Sequence, residues 1–204
     1  MKNANKLNLT FINPLNLNTM KNFMMHAFII GSGLLLMSCS DDDTPPAQID
    51  EEEVITTMIV TLTNNNTSQA IELRSQDLDG NGPEAPVIQV SDNLSVATTY
   101  TGTIELLNET ESPADMVHEE VLAEGDEHQF FFTQGGGLTV TTAYSDVDNN
   151  GNPIGLDFSL ATTTPGQGTL TITLRHEPLK PNDGSLSGAG GETDISVTFP
   201  VTVE

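Results

Sequence analysis

The 204-residue chain has no tryptophan, a single cysteine, and only six lysines and arginines together. One cysteine excludes an internal disulfide framework, and the missing tryptophan excludes the cysteine–tryptophan hallmark of antibody-type domains. Six basic residues against 29 acidic ones leave a formal net charge of −23. Such a surface repels nucleic acid and anionic lipid and attracts cations, so nucleic-acid binding is set aside. No apolar run reaches the roughly 20 residues a membrane-spanning helix needs. Catalytic motifs are also missing: there is no G-x-S-x-G elbow and no phosphate-cradling glycine loop. The glycines of "SGAGGETD" around Gly190 have no lysine and no following helix, and read as a loop. Acidic residues are so numerous that no pair stands out as a glycosidase pair. Nothing marks an enzyme.

What is present begins with an address. "MKNFMMHAFIIGSGLLLMSCS" from Met20 runs from a lysine through an apolar stretch to small residues before Cys39. That is the order of an export signal, so residues 1–38 are expected to be removed, with the true start at Met20. "LMSC", residues 36–39, resembles the lipobox of bacterial lipoproteins, which implies that Cys39 is lipidated and becomes the first mature residue. The following "SDDD" resembles the acidic surface-export signal of lipoproteins from the Bacteroidetes group. It implies an outer-membrane protein held by its lipid anchor and facing the cell exterior; facing the periplasm is the other option. Residues 39–53 then read as an extended acidic tether. All 29 acids follow Cys39, with only Arg74, Arg175 and Lys180 against them, so the mature chain carries 3 − 29 = −26.

Residues 54–204 are enough for one domain. Their rhythm is period two: "GTLTITLRHE" alternates leucine and isoleucine with threonine, and "TDISVTFPVTV" and "IGLDFSLA" alternate likewise. Further strands are expected from Val54, Ala70, Thr99, His128 and Leu138. Eight short strands with one apolar face each predict an all-β, immunoglobulin-like two-sheet β-sandwich. Pro200 is expected on an outward position of an edge strand. The exception is "SPADMVHEEVLAEG", where Ser112, Pro113 and Asp115 form a capping pattern and Gly125 a stop. One short helix is predicted there, with Ala114, Val117, Val121 and Leu122 as its apolar face. Phe130 and Phe132 read as core, whereas Phe131 points the other way and needs cover from that helix.

Chemistry is sought first among the histidines. His128 opens one strand in phase with Phe130 and Phe132, and His176 closes another in phase with Ile172 and Leu174. Meeting at one rim, they would offer ligands for a divalent transition metal, zinc above all, with Glu177, Glu124 and His118 as further donors. The same residues also fit a plainer account, as hydrogen-bonded rim histidines beside a solvated acidic face. A second pattern, "DVDNNGNPIGLD", places Asp146, Asp148, Asn150 and Asp157 at calcium-loop positions, with Gly151 at the sixth. A tight turn explains those residues equally, because no helices flank the loop. "DLDGNG" repeats the first half with Asp77, Asp79 and Asn81, but has no closing carboxylate.

"EEEVITTMIVTLT", "YTGTIELLNE", "EHQFFF", "NGNPIGLDFSL", "GTLTITLRHEP" and "GGETDISVTF" together resemble an uncharacterised family of Bacteroidetes surface lipoproteins, over nearly all of residues 51–204. Such chains are sometimes labelled type 1 periplasmic-binding domains, a two-lobed α/β architecture that this strand pattern does not support. The resemblance brings no catalytic residues. The functional expectation is a non-enzymatic binding module that captures a metal ion or small metal complex for a TonB-dependent transporter of the outer membrane. A structural or interaction sandwich contacting a protein or surface glycan, stiffened by calcium, is the alternative.

Overall fold

The computed structural model describes residues 53–80 and 82–204, all within one compact unit. Residues 1–52, on which the expected export signal, Cys39 and most of the expected tether fall, and Asn81 lie outside the described residues. Among the described residues no helix is long and apolar enough to cross a membrane.

The domain is an all-β two-sheet sandwich. Its strands are β1 (Thr57–Asn64), β2 (Ala70–Gln76), β3 (Val87–Val90), β4 (Thr99–Leu107), β5 (His128–Gly136), β6 (Val140–Tyr144), β7 (Asp157–Thr162), β8 (Gly166–His176) and β9 (Glu192–Val203). Six form one sheet in the order β3-β2-β1-β4-β7-β6, and three form the other in the order β5-β8-β9. Every pairing between named strands is antiparallel. The alternation read from sequence is the reason. Met58, Val60 and Leu62 of β1, Leu170, Ile172 and Leu174 of β8, and Val197, Phe199 and Val201 of β9 turn into one shared core. Outward threonines finish the ladder, as in the Thr171–Thr198 and Thr173–Ser196 hydroxyl pairs, each 2.8 Å apart. Pro200 is exposed on β9, an edge strand of its sheet, where its missing donor costs nothing.

Three features depart from expectation. The ninth strand, β3, is a four-residue edge whose "VIQV" is largely exposed and so leaves no alternating signature. Helix α1 (Val117–Ala123) starts later than the capping pattern suggests, and its N-cap, Met116, makes no side-chain capping bond. Asp115 is committed elsewhere, exchanging backbone hydrogen bonds with Asn108 at 3.0 and 3.1 Å. Val117 and Val121 do enter the core, while Leu122 is exposed and α1 packs on β4. Phe131 is buried on the opposite face of β5, where Asn182 donates to Gln129, two residues along that same face. Its cover therefore comes from the side of the 177–191 loop, which also holds a second short helix, α2 (Leu186–Ala189).

One glycine marks a packing limit. Gly102 of β4 lies opposite Phe158 of β7, and a Cβ there would fall 2.4 Å from the ring. Phe158 is fully buried and touches Phe132 with a centroid distance of 4.4 Å, so it has nowhere to go. Gly102→Ala is expected to destabilise the domain by about 1–3 kcal/mol, the usual range for overpacking. Denaturant titration checks this; an unchanged midpoint would show that the sheets part more easily than this packing implies.

Candidate metal centre

β5 begins at His128 and β8 ends at His176, and antiparallel pairing sets the two directly opposite. Both lie on the inward phase of their strands. Their rings stack, with centroids 4.8 Å apart and planes inclined by 22°. His128 is wholly buried and the His176 side chain is 16% exposed. The two imidazoles expected at one rim thus meet there.

Carboxylates reach them from other segments. In β9 the register slips: Leu174 faces Ile195 but Arg175 faces Thr193, leaving Asp194 as the extra residue of a β-bulge. Bulges re-aim side chains. Here Asp194 Oδ1 comes within 3.8 Å of His176 Nδ1, and Oδ2 within 4.0 Å of His128 Nε2. Glu53 Oε1, just ahead of β1, lies 3.3 Å from His128 Nε2. The histidine pair and Asp194 form one set of potential metal donors, and Glu53, Glu124 and His128 form another. Within each set the donor atoms lie within 4.8 Å of one another. A tetrahedral ion with bonds of about 2.0–2.1 Å spaces its donors about 3.3–3.4 Å apart. The His128–Glu53 separation already fits, and the Asp194 contacts need to close by about half an ångström.

The hydrogen bonding of His128 is informative. Its Nδ1 lies 3.2 Å from the Glu124 carbonyl oxygen, which only accepts, so Nδ1 carries the proton. Nε2 of a neutral ring then presents a lone pair toward Glu53. Neither Nε2 nor either Glu53 carboxylate oxygen makes a hydrogen bond, although all three atoms are buried. Two buried acceptors face to face repel unless a proton or a metal cation lies between them. Burial pushes the His128 pKa down, but the facing Glu53 carboxylate outweighs it, with help from the Glu124 carbonyl and Asp194, and the net shift is upward. An Nδ1–H held by a backbone carbonyl is also how metal-ligating histidines fix their tautomer.

Of the remaining sequence candidates, Glu124 belongs to the cluster and the others fall elsewhere. Glu177 is exposed at a positive φ of 47°, is tied through its backbone N–H to the Glu127 carbonyl, and joins neither donor set. His118 is also outside both, its Nδ1 placed 3.1 Å from the Leu106 carbonyl oxygen. The calcium-type loop does not gather its oxygens. Asp146 accepts from the N–H groups of Gly155 and Asp157 at 2.7 and 3.0 Å. Asp148 Oδ1 accepts from the N–H groups of Asn150 and Asn152, both at 2.8 Å, and Oδ2 lies 3.4 Å from Lys180 Nζ. Asp146, Asp148 and Asp157 join no donor set among the described residues, and Asn150 serves the turn through its backbone. The buried Lys180 ammonium lies against Asp148 alone of these residues. Glu53 and Asp194 were not anticipated: one reads as the end of an acidic tether and the other as an outward strand residue.

No protein-family model, curated protein or solved structure matches this chain.

Proposed function

We propose that the domain is a non-enzymatic, surface-tethered binding module that captures a divalent transition metal, zinc first, at the His128–His176–Asp194–Glu53 cluster. The observation that supports this most is the buried His128 Nε2, 3.3 Å from the Glu53 carboxylate and flanked by Asp194, a donor arrangement that a metal cation could occupy in place of a proton. Two imidazoles with carboxylates form a borderline donor set that suits zinc. The net charge of −26 after Cys39 would raise the local cation concentration, and delivery to a TonB-dependent outer-membrane transporter is the proposed use. Lipidation at Cys39 and display at the cell surface belong to the same proposal.

Calorimetric titration of residues 48–204 with zinc is the test. One site tighter than about 10 µM is expected, and its absence would sink the reading. Glu53→Gln keeps the volume and removes the charge, so it should weaken zinc by about tenfold or more. His118→Ala should leave affinity unchanged.

A tethered interaction module is the second reading. The edge strand β3 favours it, with Val87 56% and Ile88 36% exposed. A protein partner retained in the presence of chelator would support that alternative.

A further inference from the structure

Two open sheets leave four edge strands, β3 and β6 in one and β5 and β9 in the other. Three of these edges are bonded by another segment. The Ile154 carbonyl accepts from the Phe130 N–H of β5, and the Gln134 side chain accepts from the Val140 N–H of β6. Leu94 exchanges bonds with Thr202 and Glu204 at the end of β9. On β3 the backbone groups are placed differently. Ser91 donates to the Glu72 carbonyl, so Gln89 and Val87, two and four residues back along the same ladder, also turn their backbone groups toward β2. Ile88 and Val90 therefore aim their N–H and C=O groups away from the sheet, and among the described residues neither group is bonded there. No charged residue, proline or bulge inside β3 guards that edge.

Apolar surface adjoins it. Leu78 and Val87 are 57% and 56% exposed and, with Ala85, line a groove of about 230 Å³. Leu78 also lines the neighbouring cleft, together with Val54 and Pro86, so the apolar surface is continuous. The charged residues of the groove are Asp77, Asp79 and Glu84, and no lysine or arginine lines either concavity. Arg74, opposite Gln89, is paired with Glu109.

We infer that β3 accepts an extended segment of another protein as a seventh strand of its sheet, one that alternates apolar residues with lysine or arginine. The outward backbone groups select a strand. Ile88, opposite the buried Ser75, selects apolar side chains on the core-facing side. On the outer side, long basic side chains lay their stems across Val87 and Leu78 and reach the acids of the groove with their charged ends. A second copy of this chain would instead set the same acids against one another. The inference rests on the interaction-module reading and is independent of metal capture.

Three capped octapeptides test it. One alternates valine with lysine, one has glutamate for every lysine, and one is the lysine peptide N-methylated at its valines, whose N–H groups the pairing needs. Each is titrated into residues 48–204, the compact unit that contains the sandwich, with metals chelated and at about 0.15 M salt to screen diffuse attraction. The lysine peptide alone is expected to saturate, with a Kd of about 1 mM or tighter. It should slow amide exchange at Ile88 and Val90 and leave Gln89, already bonded to β2, unchanged. Ile88→Pro removes one outward N–H at an edge that tolerates proline, and should weaken the peptide about tenfold or more with zinc affinity within about twofold. Equal binding of the N-methylated or the glutamate peptide, protection at a different edge, or no saturation would overturn the inference. Protection that grows with protein concentration and needs no peptide would assign the edge to a second copy, and would overturn it too. A partner held in chelator equally by the parent and by Ile88→Pro would keep the interaction reading and remove β3 from it.

Discussion

Replacing His128 with alanine is expected to abolish tight zinc binding, weakening it by a hundredfold or more. Second-layer changes around metal sites already cost about 10- to 100-fold, and His128 is the donor common to both sets. The substitution also leaves Glu53 and Asp194 in a buried space without the ring between them, so some loss of stability is expected as well. His176→Ala separates the two effects, because the His176 side chain is 16% exposed and its loss opens less of the core. Both variants should lose zinc, and His176→Ala should melt closer to the parent. Retained zinc affinity in a folded His176→Ala or His128→Ala protein would reject the site. The pH dependence follows from the raised His128 pKa. In the metal-free protein that residue contributes stability fully present below the unfolded histidine value of about 6.5, and lost as pH rises through the folded value. Removing His128 should flatten that fall.

Lys180→Met should produce the largest stability change, about 3–5 kcal/mol, because it strands a buried charge. The Lys180 side chain is 5% exposed, that of Asp148 1%, and the two groups lie 3.4 Å apart. Lys180 Nζ also donates to the backbone carbonyls of Gly125 and His128. One ammonium therefore joins the turn after α1, the first residue of β5 and the 146–152 turn. Burial pushes the lysine pKa down and Asp148 only partly opposes this, so the pair is a tie between segments more than a gain in charge energy. For a domain of this size the loss corresponds to a fall in melting temperature of about 6–20 °C. Adding Asp148→Asn should recover part of it, since the amide oxygen can still accept from Asn150 and Asn152. If Lys180→Met melts within about 2 °C of the parent, the tie is not structural. Zinc affinity should fall along with stability, because the carbonyl that Lys180 holds belongs to His128 itself.

The strands and the histidine pair were legible because both depend on period-two alternation. His128 shares its phase with Phe130, and His176 with Leu174, so each had to point inward at the end of a strand. Whether the two ends met depended on pairing β5 with β8, which alternation does not encode. Asp194 was hidden for a definite reason: strict alternation from Val197 and Phe199 places it outward, and only the bulge turns it back. Glu53 was masked by its neighbours, since a third glutamate in "EEE" looks like solvated tether. The calcium-type loop stayed ambiguous in sequence because its oxygen spacing is also that of a turn, and because Lys180, which approaches Asp148, comes from 32 residues away along the chain. Helix α1 began late because Asp115 was drawn into a bridge with Asn108, a tertiary event that a local capping pattern cannot register.

The bulge in β9 separates two properties that protein chains usually entangle. Ile195 and Thr193 face consecutive residues of β8, so Asp194 could be excised with the ladder on either side still in register. Architecture and receptor chemistry are thus written in different places along the chain. A lineage could gain or shed the carboxylate by one codon without rebuilding the sandwich around it.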